Sequence, residues 1–261
     1  MTILDKIITA KKTEVNRLKT SFPEAQLRAM PLFERTCLDF CASIKHPGRS
    51  GIIAEYKRAS PSKGIINNQV SAAEVSKAYQ AAGASAVSVL TDSEFFKGSL
   101  EDLKQVRASV TLPVLRKDFV IDPYQIYEAK AYGADVILLI AAALTTGEIK
   151  SLSAIAKQLG LYVLVEVHNR QELEKAIYET VDAIGVNNRN LHDFSVSLEH
   201  SRALVRLIPD RYCKISESGL SDPKTVLDLR SIGFQGFLIG ENFMKAPDPG
   251  AAIKEFSETL L

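Results

Sequence analysis

A short pattern that recurs along the chain constrains its fold more than any other feature of the sequence. In each copy a helix-like stretch ends at a glycine, and an apolar burst follows within a few residues. The copies are AAGASAVSVL (81–90), AYGADVILLI (131–140), QLGLYVLVEV (158–167) and SIGFQGFLIG (231–240). Glycine is favoured where a helix ends in the left-handed conformation. Runs of Val, Ile and Leu are typical of strands buried on both faces, as in parallel sheets.

The chain contains eight such bursts, separated by segments with helical spacing of apolar residues. They lie at 51–57, 86–91, 112–117, 135–141, 161–167, 182–187, 212–217 and 235–240. Strands that alternate with helices predict an α/β fold with a parallel sheet, and eight units predict a closed (β/α)8 TIM barrel. The alternative is an open doubly wound sheet. Such a sheet usually carries GxGxxG after its first strand, where this chain has ASPSKG.

Residues 1–45 precede the first predicted strand. Apolar side chains near one helical face predict a long helix here, and a second helical piece is expected around 31–44. The residues on that face are Ile3, Leu4, Ile7, Ile8, Val15 and Leu18. From these residues alone, the segment is expected to cover the barrel bottom or pack on its side. No linker or low-complexity stretch interrupts the chain, so residues 1–261 are predicted to form one domain with an N-terminal helical extension.

The charge balance limits the partners that the chain can bind. The formal net charge is +1 and no basic stripe is visible, which argues against a nucleic-acid or membrane-surface binder. An anionic substrate must therefore be held by a few placed cations. The longest apolar run, 136–144, is far below the roughly 20 residues that cross a bilayer, and the N-terminus is unlike a secretory signal. Three cysteines without metal-ligand spacing fit a reducing compartment, so we predict a cytoplasmic protein.

Charged residues stand inside apolar strands, at the ends where a barrel places its catalytic groups. Side chains of a barrel strand alternate between the interior and the surrounding helices. The alternation puts Glu55 and Lys57 on the interior face of the first strand. It puts Lys117 on that of the third strand and Glu166 on that of the fifth. Because unpaired buried charge is costly, these groups should pair with one another or with a charged ligand. A catalytic cleft is favoured, and a buried ion-pair network that only stabilises the barrel is the alternative.

The two loops that follow the last strands predict a phosphate site. In (β/α)8 barrels such a site lies in the loops after strands seven and eight. The first of these loops contains Ser218 and Gly219, and the second contains Gly240 and Glu241. The glycines would let backbone N–H groups approach an anion. Either glycine alone would also fit an ordinary turn. The alternation further puts Asn187 and Arg189 on the interior face of the sixth strand, and Ser216 with Ser218 on that of the seventh.

The segment IIAEYKRASPS (52–62) resembles the signature of the indole-3-glycerol phosphate synthase family. The resemblance continues in LRKDFVIDPYQIYEAKAYGAD (115–135), LLIAAAL (138–144), LVEVHN (164–169), IGVNNRNL (184–191), SESGL (216–220) and LIGENFM (238–244). The N-terminal ILDKIITAKKTEV is similar to the family's extra helix. The resemblance implies a carboxy-lyase of tryptophan biosynthesis. Its reaction converts 1-(2-carboxyphenylamino)-1-deoxyribulose 5-phosphate to indole-3-glycerol phosphate, CO2 and water by general acid/base catalysis.

The resemblance also implies a role for each candidate residue. Lys117 would be the general acid that protonates the ribulose carbonyl, and Glu166 would assist dehydration as base or charge stabiliser. Glu55 would take part in proton transfer or hold the lysines, and Lys57 would contact an anionic group such as the phosphate. The other implied residues are Asn187 and Ser218 among the catalytic groups, Ser60, Phe119, Leu139 and Arg189 at the substrate, and Gly219, Gly240 and the backbone N–H of Glu241 at the phosphate.

The resemblance makes further predictions about the surroundings of the site. The N-terminal extension, 1–45, is expected to cover the catalytic face of the barrel. The expected partner is a small phosphorylated molecule, and the protein is expected to be a monomer. No cofactor is expected, and no metal, since the histidines lack ligand spacing such as HExxH.

Two other functions compete with this interpretation. One is a Schiff-base aldolase-type barrel with Lys117 or Lys57 as the nucleophile. That chemistry needs a lysine of lowered pKa, whereas the nearby Glu55 and Glu166 would raise it. The other is a non-catalytic barrel that binds a phosphate ligand. It would explain the two loop glycines but not the charged residues at the strand ends.

Overall fold

Eight parallel strands close into a barrel in the computed structural model, which describes residues 2–190 and 193–260. The strands are β1 (Ile52–Tyr56), β4 (Ala86–Leu90), β5 (Val114–Lys117), β6 (Val136–Ile140), β7 (Tyr162–Val167), β8 (Ala183–Asn187), β9 (Cys213–Glu217) and β10 (Gly236–Ile239). Each lies within one of the eight predicted bursts, so the predicted (β/α)8 barrel is confirmed. Leu191, which ends the 184–191 motif, and His192 lie outside the described residues.

Helices surround the barrel and connect its strands. They are α4 (Ala72–Ala81), α5 (Leu100–Ser109), α6 (Pro123–Ala131), α7 (Thr146–Gln158), α8 (Arg170–Ala176), α9 (Glu199–Leu204), α10 (Pro223–Ser231), α11 (Glu241–Met244) and α12 (Pro249–Glu258). Asp122, Asp222 and Asp248 each cap a helix with the side chain, and a proline follows in the first turn. Aspartate accepts from the free N–H groups of a helix start, and proline has no N–H to leave unpaired there.

Three helices precede the barrel: α1 (Ile3–Ser21), α2 (Glu24–Arg28) and α3 (Phe40–Lys45). The first matches the predicted long helix. The predicted second piece around 31–44 is wrong over its first part, because residues 31–39 form turns and irregular backbone. There the Leu38 N–H and the Arg35 guanidinium both donate to Asp135 Oδ1, at 2.8 and 2.7 Å. This buried carboxylate ties the segment to the barrel, and α3 begins only at Phe40.

Two apolar layers fill the molecule on either side of the strands. Inward-facing residues such as Ile53, Leu115 and Leu164 form one cluster, which Phe40 and Ile44 of α3 join at the amino ends of the strands. The larger cluster lies between the strands and the outer helices. At the carboxyl ends, a short hairpin of β2 (Ala59–Ser60) and β3 (Gly64–Ile65) follows β1. Within residues 2–190 and 193–260, no helix combines the length and apolar character needed to cross a bilayer.

Candidate active site

A cavity of about 1010 Å³ opens at the carboxyl ends of the barrel strands. Predicted site residues from six barrel strands, or from the loops that follow them, reach it. They are Glu55, Lys57, Ser60, Lys117, Phe119, Glu166, Asn187, Arg189, Ser218 and Glu241. Most of the remaining lining is apolar and comes from α1, the strands and the loops, with Ser62, Asp118 and Glu217 as its polar members. The structure therefore brings the charged residues of the first, third and fifth strands to one pocket.

Lys117 lies between two carboxylates at the centre of this cavity. Its Nζ donates to Glu166 Oε2 at 2.8 Å and to Glu217 Oε2 at 2.9 Å. Burial favours the neutral amine, but the surrounding carboxylates outweigh burial, so the pKa of Lys117 lies above its ordinary value. The side chain is therefore an ammonium group that can give a proton to a substrate atom. The same shift argues against a Schiff-base nucleophile, which needs a free amine.

The pKa values of the two carboxylates that flank Lys117 are shifted in opposite directions. Burial raises the pKa of Glu166, but Lys117 and His168 lower it more, to about 2. His168 Nε2 is 3.7 Å from Glu166 Oε1. Burial and the nearby Glu166 raise the pKa of Glu217 to about 7, against the effect of Lys117. Glu166 is thus ionised and can accept a proton, whereas Glu217 exchanges a proton near neutral pH. Acid–base catalysis uses such pairs of groups with different pKa values.

Glu217 is a functional candidate that the sequence analysis missed. The inward-facing residues of β9 are Cys213, Ile215 and Glu217, so the prediction that Ser216 faces the interior is wrong. Ser216 Oγ instead contacts Asn188 Nδ2 at 3.0 Å and Ser201 Oγ at 2.8 Å, outside the barrel. Ser218 still reaches the cavity because the chain turns there with φ of 68°. The signal available in the sequence was Glu217 itself, an acidic residue at the end of an apolar strand.

A second pair of charges lies on β1 and just beyond it. Lys57 Nζ is 2.7 Å from Glu55 Oε1, and both side chains are mostly buried. The backbone of Gly240 packs directly against Glu55: a Cβ at Gly240 would lie 2.6 Å from Oε1. The absence of a side chain at Gly240 therefore makes room for the Glu55 carboxylate. This is a second reason for glycine here, besides the predicted approach of an anion to the backbone.

One predicted wall residue is wrong. Leu139 is fully buried in the layer between the strands and the outer helices, and it does not line the cavity. Its neighbours Leu138 and Ile140 line the cavity instead, because strand side chains alternate between the two faces. Phe119 does line the cavity, next to Phe96, with ring centroids 6.1 Å apart. Phe96 was not predicted, since it lies in a loop with no periodic pattern.

A second, more polar cavity of about 630 Å³ adjoins the first at the ends of β9 and β10. Its lining includes the predicted phosphate-site residues Lys57, Gly219, Gly240 and Glu241, together with Lys245. Gly219 has φ of 74°, a conformation that side chains other than glycine seldom adopt. Lysine ammonium groups and exposed backbone at this end give the cavity the chemistry of an anion site.

Arg189 and Ser60 both line the main cavity. Arg189 follows β8, and its Nη2 is 3.6 Å from Glu241 Oε2. Its Nη1 donates to the Phe194 carbonyl at 3.2 Å. Ser60 lies in the hairpin after β1, within 3.4 Å of the Ser62 hydroxyl. Both can reach an anionic group of a bound molecule without displacing the central Lys117.

This combination defines a class: a (β/α)8-barrel enzyme with an acid–base centre beside an anion site. The family model for indole-3-glycerol phosphate synthase matches residues 4–256. The chain is 46% identical over 258 residues to the indole-3-glycerol phosphate synthase of Bacteroides thetaiotaomicron, covering 99% of this chain and 98% of the relative. It is also 46% identical to that of Verminephrobacter eiseniae, covering 96% and 97%. The chain belongs to the indole-3-glycerol phosphate synthase family.

Comparison with solved structures agrees on the fold. The chain is similar to thiamine phosphate pyrophosphorylase from Pyrococcus furiosus, with a TM-score of 0.62 and 16% identity over 85% of this chain and 98% of the other. It is also similar to 3-hexulose-6-phosphate synthase from Salmonella typhimurium, with a TM-score of 0.59 and 14% identity over 80% and 97%. At these identities the likeness supports the barrel fold alone.

Proposed function

We propose that this chain converts 1-(2-carboxyphenylamino)-1-deoxyribulose 5-phosphate to indole-3-glycerol phosphate, as its family does, through the acid–base groups of the main cavity. The observation that carries the division of roles is the contact of Lys117 with both Glu166 and Glu217. Lys117 supplies an acid, and Glu166 and Glu217, whose pKa values are shifted in opposite directions, supply the bases. Ring closure, decarboxylation and dehydration need these groups in turn.

In ring closure, the ring carbon that bears the carboxylate attacks the ribulose carbonyl carbon. The carbonyl oxygen gains electron density, takes a proton from Lys117 Nζ and so becomes a tertiary hydroxyl. Loss of CO2 then leaves its electron pair in the ring and restores aromaticity. Because Lys117 keeps contact with ionised Glu166, the cost of desolvating its charge is offset while it waits for substrate.

Dehydration removes that hydroxyl together with a proton from the adjacent carbon. We assign the acceptance of the proton to Glu166, which is ionised and lies at the cavity floor. Glu217, with its pKa near 7, returns a proton to Lys117 between turnovers. Lys57 assists the departure of the hydroxyl as an acid or contacts an anionic group, and Glu55 holds it at 2.7 Å. Asn187 and Ser218 orient the reacting groups by hydrogen bonds.

Binding follows the polarity of the two cavities. The phosphate occupies the second cavity, held by the backbone at Gly219, Gly240 and Glu241 and by Lys57. The substrate carboxylate lies toward Ser60 and Arg189. Phe119, with Leu138 and Ile140 in place of Leu139, forms the wall for the aromatic ring. The polarity of the linings supports this orientation, since many apolar side chains line the main cavity, whereas Lys57, Arg189 and Lys245 line the second.

We extend the proposal to the surroundings of the site. Residues 1–45 belong to the same domain as the barrel, and the start of this extension covers the catalytic face. Its support is that Ile3, Leu4 and Ile7 of α1 line the main cavity. We place the protein in the cytoplasm, because three cysteines without disulfide spacing fit a reducing compartment, and we expect a monomer.

The direct test is to incubate the purified protein with the carboxyphenylamino sugar phosphate and follow indole fluorescence. The chain contains no tryptophan, so the protein contributes no indole signal of its own. We expect turnover by the wild type, and at least about 100-fold less for Lys117→Ala, the scale of a lost general acid. Lys12→Ala, at an exposed lysine, is the matched control. No product from folded wild type would refute the function, and turnover of Lys117→Ala within about threefold of wild type would refute the assignment of Lys117.

A further inference from the structure

Lys11 of α1 is a buried lysine that contacts three carboxylates other than those of Glu55, Glu166 and Glu217. Its Nζ lies 2.7 Å from Glu14 Oε2, 3.0 Å from Asp92 Oδ2 and 3.0 Å from Asp118 Oδ1, with 3% of the side chain exposed. Asp92 and Asp118 belong to the loops after β4 and β5. One ammonium group therefore joins the N-terminal helix to two catalytic-face loops of the barrel.

Each of these two aspartates also fixes the backbone of a cavity residue. Asp92 Oδ1 accepts the N–H groups of Phe95 at 2.7 Å and Phe96 at 3.3 Å. Asp118 Oδ1 accepts the N–H of Phe119 at 2.8 Å. Phe96 and Phe119 line the cavity with rings in contact. The carboxylates that hold Lys11 are thus the same groups that set the positions of the two aromatic side chains.

The third side of this wall comes from α1 itself. Ile3, Leu4 and Ile7 line the same cavity, one to two helical turns before Lys11. Because a helix is rigid over this length, the ion pairs of Lys11 fix the positions of those three side chains at the cavity. Burial alone would lower the pKa of Lys11, but Asp118 and Asp92 raise it above its ordinary value. The ammonium charge therefore persists at every pH at which the enzyme works.

We propose that Lys11 is a positioning residue: it holds α1, Phe96 and Phe119 in register, so that together they form the apolar wall of the substrate cavity. The statement that this wall receives an aromatic ring rests on the function proposed above. The register itself does not, since it follows from the contacts of Asp92 and Asp118. Lys11 touches no reacting atom, and its effect passes through the backbone of the two aromatic residues.

The test compares Lys11→Met with Val15→Ala. Val15 is also a buried residue of α1, but it packs in the cluster with Leu27 and Tyr124, away from the two aspartates. Lys11→Met should raise the KM at least about 10-fold with kcat within about threefold, the pattern of lost uniform binding. Val15→Ala should lower the Tm while its KM stays within about twofold of wild type. If Lys11→Met also keeps its KM within that range, the proposal is overturned.

A readout that needs no substrate separates this proposal from the proposed function. Amide hydrogen exchange at Phe95, Phe96 and Phe119 should accelerate in Lys11→Met but not in Val15→Ala. Wild-type exchange in Lys11→Met would overturn the positioning role even if the chain proved to have another activity. If Lys11→Met does not fold, Lys11→Arg decides. It keeps the charge but changes its geometry, so faster exchange at Phe96 and Phe119 supports the proposal and wild-type exchange overturns it.

Discussion

Glu217 carries a proton equilibrium that should be visible in the stability of the protein. Its carboxylate is buried at the end of β9, and burial with the nearby Glu166 raises its pKa from 4.5 to about 7, against Lys117. A carboxyl whose pKa is higher in the folded state keeps a proton that the unfolded chain releases between those two values. The folded state then binds more protons than the unfolded one, so the free energy of unfolding falls as pH rises through this window.

Glu217→Gln should remove this pH dependence, because the amide stays neutral throughout. We expect the Tm of wild type to fall relative to that of Glu217→Gln between about pH 5 and about pH 7.5. Thermal unfolding followed by circular dichroism at several pH values measures the difference. Glu258→Gln, at an exposed carboxyl of α12, is the control and should follow the wild-type curve. If the Glu217→Gln and wild-type curves ran parallel, the buried carboxyl would not titrate in this window.

Gly185 on β8 controls the place of the same carboxyl. A Cβ at this position would lie 2.1 Å from Glu217 Oε1, so an added methyl group must displace that side chain. The carboxylate is the far end of a flexible side chain, so the barrel should still fold. We expect Gly185→Ala to lower kcat by about 10-fold or more, the scale of a misplaced catalytic group.

The matched control for this substitution is Gly147→Ala in α7, where an added Cβ meets no atom within 4 Å. It should leave kcat unchanged and keep or slightly raise the Tm, since alanine favours a helix. Steady-state kinetics and thermal unfolding of both variants settle the matter. Equal kcat values for the two variants would mean that the catalytic position of Glu217 does not depend on glycine at residue 185.

Two helices begin with the same capping box, which allows an experiment at the scale of elements. In α1, Thr2 Oγ1 accepts the Asp5 N–H and Asp5 accepts the Thr2 N–H. In α7, Thr145 and Glu148 make the same exchange. Loss of either cap should cost about 1 kcal/mol of helix stability. The first turn of α1 lines the substrate cavity, whereas α7 lies in the outer ring.

Thr2→Ala should therefore raise the KM severalfold, because fraying of the first turn moves Ile3 and Leu4 away from the cavity. Thr145→Ala should lower the free energy of unfolding by about 1 kcal/mol with unchanged kcat and KM. Urea unfolding and steady-state kinetics of the two variants test both statements. A raised KM in Thr145→Ala, or an unchanged one in Thr2→Ala, would contradict the link between the first turn of α1 and substrate binding.

The strands show how far the sequence alone could predict these elements and the site. Charged residues inside apolar runs made the alternation of β1, β5 and β7 readable, because a buried charge has few places to face. The run VILLI of β6 has no polar residue to mark its inner face, so its pattern could not test the substrate contact that the resemblance implies for Leu139. In β9, the polar Lys214 and Ser216 alternate with inward-facing Cys213 and Ile215, and Ser216 accepts from Asn188 outside the barrel. The sequence does not show which residues each strand side chain contacts in the folded protein, and that contact decides which face it occupies.

At the scale of the molecule, the two ends of the barrel have different tasks. The cavities lie at the carboxyl ends of the strands, whereas Asp135 lies before β6 at the opposite end, fully buried. Its Oδ1 binds Arg35 Nη2 and the Leu38 N–H, and its Oδ2 binds Arg107 Nη1 and the Val114 N–H, all at 2.7 to 2.8 Å. This one carboxylate joins the N-terminal segment to two units of the barrel.

Asp135→Asn should separate stability from activity in the whole molecule. The amide removes the charge that two arginines share, and its NH2 must face a backbone N–H that has lost its acceptor. We expect the free energy of unfolding to fall by about 3–5 kcal/mol, the scale of a broken buried ion pair. In the folded fraction, kcat and KM should match wild type, because none of the four partners lines either cavity. Urea unfolding with kinetics at low temperature tests this, and a changed KM in fully folded Asp135→Asn would show that the two ends of the barrel are coupled.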